Sequence, residues 1–383
     1  MLSTIIIFIL ILSLLVFVHE FGHFIAAKKM GVKVEEFALG FPPRIWSRIK
    51  NGTKYSINWI PIGGFVKLKG EDACLRRQGG EKKDEDSFAH KRVWQKSVIL
   101  ASGVAMNFAL AAVVLSFGFM IGAPQVIEAG VEKSARVRDE KIQVVDTVEN
   151  SPAHEAGIIS GDAIKSIDGK KFANVEEIQS YINERGGEKM LFEIRRGKEI
   201  VVHEIEASYI SDKESLDIEE WQNYMVGVSL AKVGVISYPF HIAIFKGVES
   251  TIFLTKEIIA AFYELIAGLI RTQKIEVDFA GPIGIAALTG QVADLGFIYL
   301  LQFVALLSIN LGIINLMPFP ALDGGRIFFL FLEKIRGKAV DERIEAMVHN
   351  IGFLLLMLLI VVITYKDILN NKSMFIDFFR RIF

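Results

Sequence analysis

The chain has 383 residues, is 52% hydrophobic and 23% charged, and carries a formal net charge of -1 at pH 7. That balance excludes a disordered chain, which is poor in apolar residues and strongly charged, and it leaves no basic footprint for a nucleic-acid partner. A mean hydropathy of +0.40 points to a membrane protein, and a single cysteine, Cys74, excludes both a disulfide framework and a cysteine-rich zinc module.

Residues 2–18 are uncharged, meet His19 and Glu20, and continue apolar to Ala27 before Lys28 and Lys29. At about 1.5 Å per residue the run is long enough to cross a hydrocarbon core roughly 30 Å thick, so it reads as a first transmembrane helix. A cleaved signal peptide fits less well, because Met1-Leu2-Ser3-Thr4 lacks a basic leading region. Residues 98–123 form a second uncharged run, in which Gly103, Ala105 and Ala109 permit close helix packing in lipid. Residues 297–318 and 351–364 give a third and a fourth span. The stretch 244–270 interleaves Lys246, Glu249, Lys256, Glu257 and Glu264 with apolar residues, the pattern of a helix lying on the membrane or against the bundle. Lys28, Lys29, Lys33, Arg44, Arg48, Lys50, Arg76 and Arg77 concentrate between the first two spans, so that loop is expected in the cytoplasm. Residues 124–296 and both termini then fall on the outer face.

Between the first two spans, residues 54–60 alternate like a strand and lead into Pro61-Ile62-Gly63-Gly64-Phe65-Val66, which predicts a strand pair around a Gly-Gly turn. Residues 74–87, with Cys74 as a free reduced thiol, predict a charged cytoplasmic loop. In the outer segment, strand-like runs at 141–145, 163–167, 190–194 and 200–205 surround one amphipathic helix at 175–182, which makes a small α+β domain. The run from Asn150-Ser151-Pro152-Ala153 through Gly161-Asp162 to Ile167-Asp168-Gly169 resembles the PDZ domains of bacterial proteases. That resemblance implies a groove beside the helix that takes peptide C-termini or extended segments as an added strand. A plug that only excludes bulky chains fits the same residues.

His19-Glu20-Phe21-Gly22-His23 carries the chemistry. Residues four apart on a helix share a face, so both imidazoles can hold one zinc ion while Glu20, on the same flank, serves as a base. These groups lie inside an apolar span, where an unpaired charge costs several kcal/mol, about 3 on insertion scales. His23 is five and His19 nine residues from Lys28, which puts the site roughly 8 to 13 Å inside the cytoplasmic boundary. A catalytic zinc takes three protein ligands. The third is expected from Asn315-Leu316-Met317-Pro318-Phe319-Pro320-Ala321-Leu322-Asp323-Gly324-Gly325, where Pro318 and Pro320 bend the helix and Gly324 allows a close approach, turning Asp323 inward. An Asp that merely caps a helix after a turn is the plainer reading of the same residue.

HEFGH, the NLMPFPALDGG run, the Pro61 to Val66 loop, the Ala38-Leu39-Gly40-Phe41-Pro42-Pro43 segment and the PDZ stretch, in this order, resemble the site-2 protease family, in its bacterial regulator-of-sigma-E protease branch. The resemblance spans nearly the whole chain. It implies that His19, His23 and Asp323 hold zinc, that Glu20 activates water, that Asn315 contacts the substrate backbone, and that Gly63 and Gly64 lie in a loop that pairs with an unwound substrate strand. It also implies a bacterial cytoplasmic membrane location and substrates that are single-span proteins already shortened outside, such as anti-sigma factors or signal-peptide remnants. The second span departs from the family, with Ala101-Ser102-Gly103-Val104-Ala105-Met106-Asn107 where an Ala-Gly-Pro run is usual, and there is one PDZ copy rather than the tandem pair of some relatives.

The expected architecture is a polytopic α-helical membrane protein of about four spans with an inserted α+β PDZ-like domain and a membrane-associated β-hairpin loop. Residues 1–123 hold the first two spans and their loop, 124–210 the PDZ-like domain, 211–296 a linker with the amphipathic helix, and 297–383 the last two spans. Two competing functions use the same features. A silent membrane PDZ scaffold would lack a ligand or the base, and a metal ion transporter would need further ligands on both sides of the site.

Overall fold

The structure, a computed structural model, describes residues 2–71, 85–127, 134–197, 199–209, 224–272, 281–338 and 340–370. Cys74 and residues 74–84 of the expected charged loop lie outside the described residues, as do residues 211–223 of the expected linker. Two compact units emerge, Met1–Gly118 with His241–Phe383, and Phe119–Phe240.

In the first unit the uncharged runs become helices, because in an apolar solvent a backbone must satisfy its own hydrogen bonds. These are α1 (Leu2–Lys29) and α2 (Val93–Ile121), followed later in the chain by α7 (Phe297–Leu316) and α9 (Glu342–Asn370); all four are long and apolar enough to cross a membrane. Ile11 and Leu15 of α1 pack with Val304 of α7, and Leu110 of α2 leans on that cluster. A second cluster joins Ala26 and Ala27 of α1 to Ile99 and Leu100 of α2. Residues 19–23 sit between these two clusters, so the turn bearing the histidines is anchored above and below.

Between α1 and α2 run β1 (Val34–Lys50) and β2 (Thr53–Leu68). The hairpin turn is Asn51-Gly52, with φ of 51° and 74°, and not Gly63-Gly64. Asn-Gly is the residue pair that a tight turn with two positive φ angles favours. Gly63 and Gly64 instead lie where β2 passes from one flank of β1 to the other: Glu36 to Leu39 pair with Lys54 to Ile57 and also with Gly64 to Lys67.

The second unit contains β3 (Ala123–Val126), β4 (Arg136–Thr147), α3 (Pro152–Glu155), β5 (Ala163–Ile167), α4 (Val175–Glu184), β6 (Lys189–Arg196), β7 (Glu199–Glu206), β8 (Ser208–Tyr209), β9 (Tyr224–Met225) and β10 (Val228–Ser237). Six of these strands form one antiparallel sheet in the order β3-β10-β4-β5-β6-β7. Alternate residues of the strands, Ile142, Val144, Met190, Phe192 and Ile194, bury against Ile178 and Ile182 of α4. Strand β10 falls in the segment expected to be linker; it pairs with both β3 and β4, so this unit closes only after residue 237.

The remaining helices belong to the first unit: α5 (Phe240–Thr272, whose first residue closes the second), α6 (Pro282–Leu295) and α8 (Asp323–Arg336). Asp367 near the end of α9 accepts hydrogen bonds from the N–H groups of Gly281 and Gly284 at 3.2 and 2.8 Å, capping α6. The prolines do not bend α7 as expected. They stop it at Leu316, because Pro318 drives Met317 into extended backbone with ψ of 141°. A short loop then delivers Asp323 as the first residue of α8.

Candidate active site

His19 and His23 project from one face of α1 and are 6% and 9% exposed. Their Nε2 atoms lie 3.1 Å apart. Asp323 Oδ2 completes a triangle, 3.0 Å from His19 Nε2 and 3.2 Å from His23 Nε2, although it is 304 residues from His19 in the chain.

The loop before Asp323 is tightly held. A Cβ on Gly324 would overlap the carbonyl oxygens of Leu316 and Met317, so only glycine lets the backbone double back after α7. Ala321 adopts a φ of 77°, and its N–H donates to His349 Nδ1 of α9 at 2.9 Å. Pro320 abuts the same helix, since a Cβ at Gly352 would sit 2.8 Å from its carbonyl oxygen. Pro318 stands in the loop between α7 and α8 and is exposed.

Helix α2 lies against the histidines with a matching four-residue step. Ile99 O is 2.8 Å from His23 Nδ1, Gly103 faces both rings, and Asn107 Nδ2 is 3.1 Å from His19 Nδ1. A Cβ on Gly103 would fall 2.7 Å from His23 Cε1 and 2.8 Å from His19 Cε1, so the imidazoles fill the space of that missing side chain. From the sequence, Gly103 reads only as a packing residue and Asn107 only as part of a departing motif. Their spacing was the available signal: residues 99, 103 and 107 share a helix face as 19 and 23 do.

Glu20 Oε2 accepts a hydrogen bond from the Val66 N–H of β2 at 3.1 Å. The Ser13 hydroxyl of α1 donates to the carbonyl oxygen of Pro61, holding β2 against the helix. Gly64 lies beside Glu20, where an added Cβ would come within 3.9 Å of Glu20 Cγ, while Gly63 faces Phe41 of β1. Asn315 lines a cavity of about 220 Å³ together with Val16, His19, Glu20, Ala321 and Asp323. Every site residue expected from sequence is therefore gathered near one point except Gly63, Pro318 and Pro320, which shape the backbone around it.

His19, His23 and Asp323 are the group that could hold a metal ion among the described residues, with donor atoms within 4.8 Å of one another. The donor set fits zinc. Ligands about 2.0 to 2.1 Å from a tetrahedral ion stand about 3.3 Å apart, close to the observed triangle. Each imidazole also has its Nδ1 engaged by a neighbour on α2, which leaves both Nε2 atoms facing the shared point.

Residues 7–359 match Peptidase family M50. The chain is 32% identical to the regulator of sigma-W protease RasP of Bacillus subtilis (strain 168), over 96% of this chain and 98% of that one. It is 31% identical to the zinc metalloprotease RasP of Geobacillus kaustophilus (strain HTA426), with the same coverage, and 32% identical to that of Bacillus licheniformis over 96% and 99%. Among solved structures, the PDZ domain of an SdrC-like protein of Listeria monocytogenes is similar at a TM-score of 0.21 and 23% identity, over 25% of this chain and 92% of that one.

Proposed function

This chain belongs to peptidase family M50, the site-2 protease family, and is a zinc metalloprotease; on that premise we propose that it hydrolyses peptide bonds inside the transmembrane segments of single-span proteins. The observation that carries the reading is the triangle of His19, His23 and Asp323 with Glu20 beside it, three of these four residues lying on α1, a helix long and apolar enough to cross a bilayer. Ion-binding side chains inside a span are costly, so their presence there marks a functional site.

His19, His23 and Asp323 would hold the metal. Zinc bound there would supply Lewis acidity, polarising the scissile carbonyl and easing deprotonation of water. Glu20 is the proton carrier: its carboxylate takes a proton from the attacking water and passes it to the leaving amine nitrogen as the C–N bond breaks and the water oxygen joins the carbonyl carbon. The Val66 N–H points the carboxylate for that task. Asn315, on the wall of the same cavity, can donate to a substrate carbonyl. A transmembrane helix hides its peptide bonds in its own hydrogen bonds, so the substrate must unwind before attack. The strand through Gly63 and Gly64 offers backbone partners to the unwound segment.

The unit Phe119–Phe240 would then be a PDZ-like domain on the outer face, reading peptide ends or excluding chains that have not been shortened. The loop between α1 and α2 would lie in the cytoplasm of a bacterium. The Bacillus subtilis relative is named a regulator of sigma-W protease, which favours a single-span regulator of a sigma factor as the substrate of this chain. Signal-peptide remnants share the same chemistry.

The test is cleavage of a truncated single-span protein by purified enzyme in detergent, with Glu20→Gln beside it and zinc assayed in both. Cleavage by the wild type alone, with zinc in both samples, is expected. Equal cleavage by Glu20→Gln would overturn the role given to Glu20, and zinc retained without cleavage of any of a panel of unrelated spans would overturn the intramembrane reading.

A further inference from the structure

We infer that Asn107 is a positioning residue for the metal centre, its side-chain carbonyl accepting the Nδ1–H of His19 so that Nε2 presents its lone pair to zinc. The inference rests on the reading of His19, His23 and Asp323 as zinc ligands and adds what fixes the first of them.

Asn107 is fully buried, and its amide stands 3.1 Å from His19 Nδ1. Its Oδ1 has no hydrogen-bond partner among the described residues, so no other bond decides which amide atom faces the ring. Oxygen and nitrogen of an amide are told apart by their partners, and here the partner is an imidazole with one proton to place. A metal-bound Nε2 must be free of its proton, so the proton sits on Nδ1, and Nδ1–H needs an acceptor. The amide oxygen can accept; the NH2 group cannot.

The backbone leaves the amide little freedom to do anything else. The Ser308 hydroxyl of α7 donates to the backbone carbonyl oxygen of Asn107 at 2.8 Å, and a Cβ at Gly312 would lie 3.5 Å from Asn107 Cβ. Helix α7 thus wedges Asn107 against α1. His23 is treated alike by α2, its Nδ1 lying 2.8 Å from the Ile99 carbonyl oxygen two turns earlier. One backbone carbonyl and one side-chain carbonyl, eight residues apart on one face, therefore fix the tautomer and the tilt of two imidazoles four residues apart.

The experiment uses the full chain, purified in detergent and loaded with zinc, then dialysed against graded amounts of a chelator of known affinity. Asn107→Leu removes the acceptor and keeps bulk; Asn107→Ala removes both and stands in if the Leu variant does not fold; Asn107→Asp keeps an acceptor oxygen. The expected result is zinc held about 10- to 100-fold more weakly by Leu and Ala, and as tightly as wild type by Asp. A residue that only packs would give the reverse order, since Leu fills the space and a buried carboxylate does not suit it. Wild-type zinc retention by Leu or Ala, or a loss by Asp equal to that of Leu, overturns the inference. His19→Ala runs beside them: if it releases zinc while Asn107→Leu keeps it, only the role of Asn107 falls, and if it holds zinc like the wild type, the metal reading falls and takes this one with it.

Discussion

Glu20 on α1 accepts a hydrogen bond from the backbone N–H of Val66 on β2, at 3.1 Å. The proposed proton carrier is thus aimed by the same strand that is proposed to receive the substrate. Any event that moves β2 also moves the carboxylate.

Gly64→Val tests that linkage. Its Cβ would come 2.7 Å from the Ala38 carbonyl oxygen, which forces β2 away from β1 and shifts the Val66 N–H. Because displacements of about 1 Å cost around a hundredfold in rate, cleavage should fall by about that factor. Zinc content should stay at the wild-type level, since no ligand is touched. Loss of zinc along with activity would show that β2 supports the metal centre itself.

Gly103→Ala should do the opposite. The added methyl meets the Cε1 atoms of both imidazoles, so the rings must tilt and the donor triangle opens. Zinc binding should weaken before anything else, with an overpacking cost of about 1 to 3 kcal/mol in thermal unfolding. Wild-type zinc affinity in this variant would mean that α2 can back away from α1.

His349 anchors the loop that carries Asp323, through the Ala321 N–H. His349→Leu removes that acceptor, and Ala321 is left in left-handed backbone with no bond to hold it. Because Ala321 is solvent-exposed at this point, the stability cost should be only about 1 kcal/mol. The larger effect should be on zinc affinity, as Asp323 loses its fixed position. Ala321→Gly, which suits the same φ, should be tolerated in both measurements.

In the second unit, Asp162 is almost fully enclosed and pairs with Arg196 at 2.7 Å. Burial by itself raises the Asp162 pKa, but the Arg196 guanidinium and the Ile159 N–H outweigh it and hold the carboxyl below its ordinary value. A pKa lower in the folded than in the unfolded chain adds stability above the unfolded value, about 3.9, and that stability is lost as pH falls through the folded value. Asp162→Asn should therefore unfold more readily than wild type at neutral pH, by about 2 kcal/mol, with the gap closing in acid. Thermal unfolding of the two proteins at several pH values reads this directly; a gap that stays constant with pH would remove the ion pair as its cause.

How far the sequence reached is clearest at the two histidines, Asp323 and the Gly63-Gly64 pair. His19 and His23 could be paired from sequence because their relation is a helical repeat, fixed by backbone geometry alone. Asp323 could be nominated, since it is a carboxylate among apolar residues and helix breakers, but its 3.0 Å approach to His19 depends on α7 stopping at Leu316 and on Gly324 letting the chain fold back. Gly63 and Gly64 looked like a turn because Gly-Gly usually is one. Asn51-Gly52 took that place, and the pairing of β1 on both flanks turned the glycines into a crossing point.

What the sequence determined by itself was governed by local periodicity and solvent: the four apolar helices, strands β4 to β7 of the second unit, and the spacing of HEFGH. What only the tertiary structure decided was which distant groups meet. The alignment of Ile99, Gly103 and Asn107 with the two histidines, the hold of Val66 on Glu20 and that of His349 on Ala321 all join elements far apart in the chain. Such contacts follow from how helices pack against one another. A single sequence records the face each helix offers but not the partner that face will find.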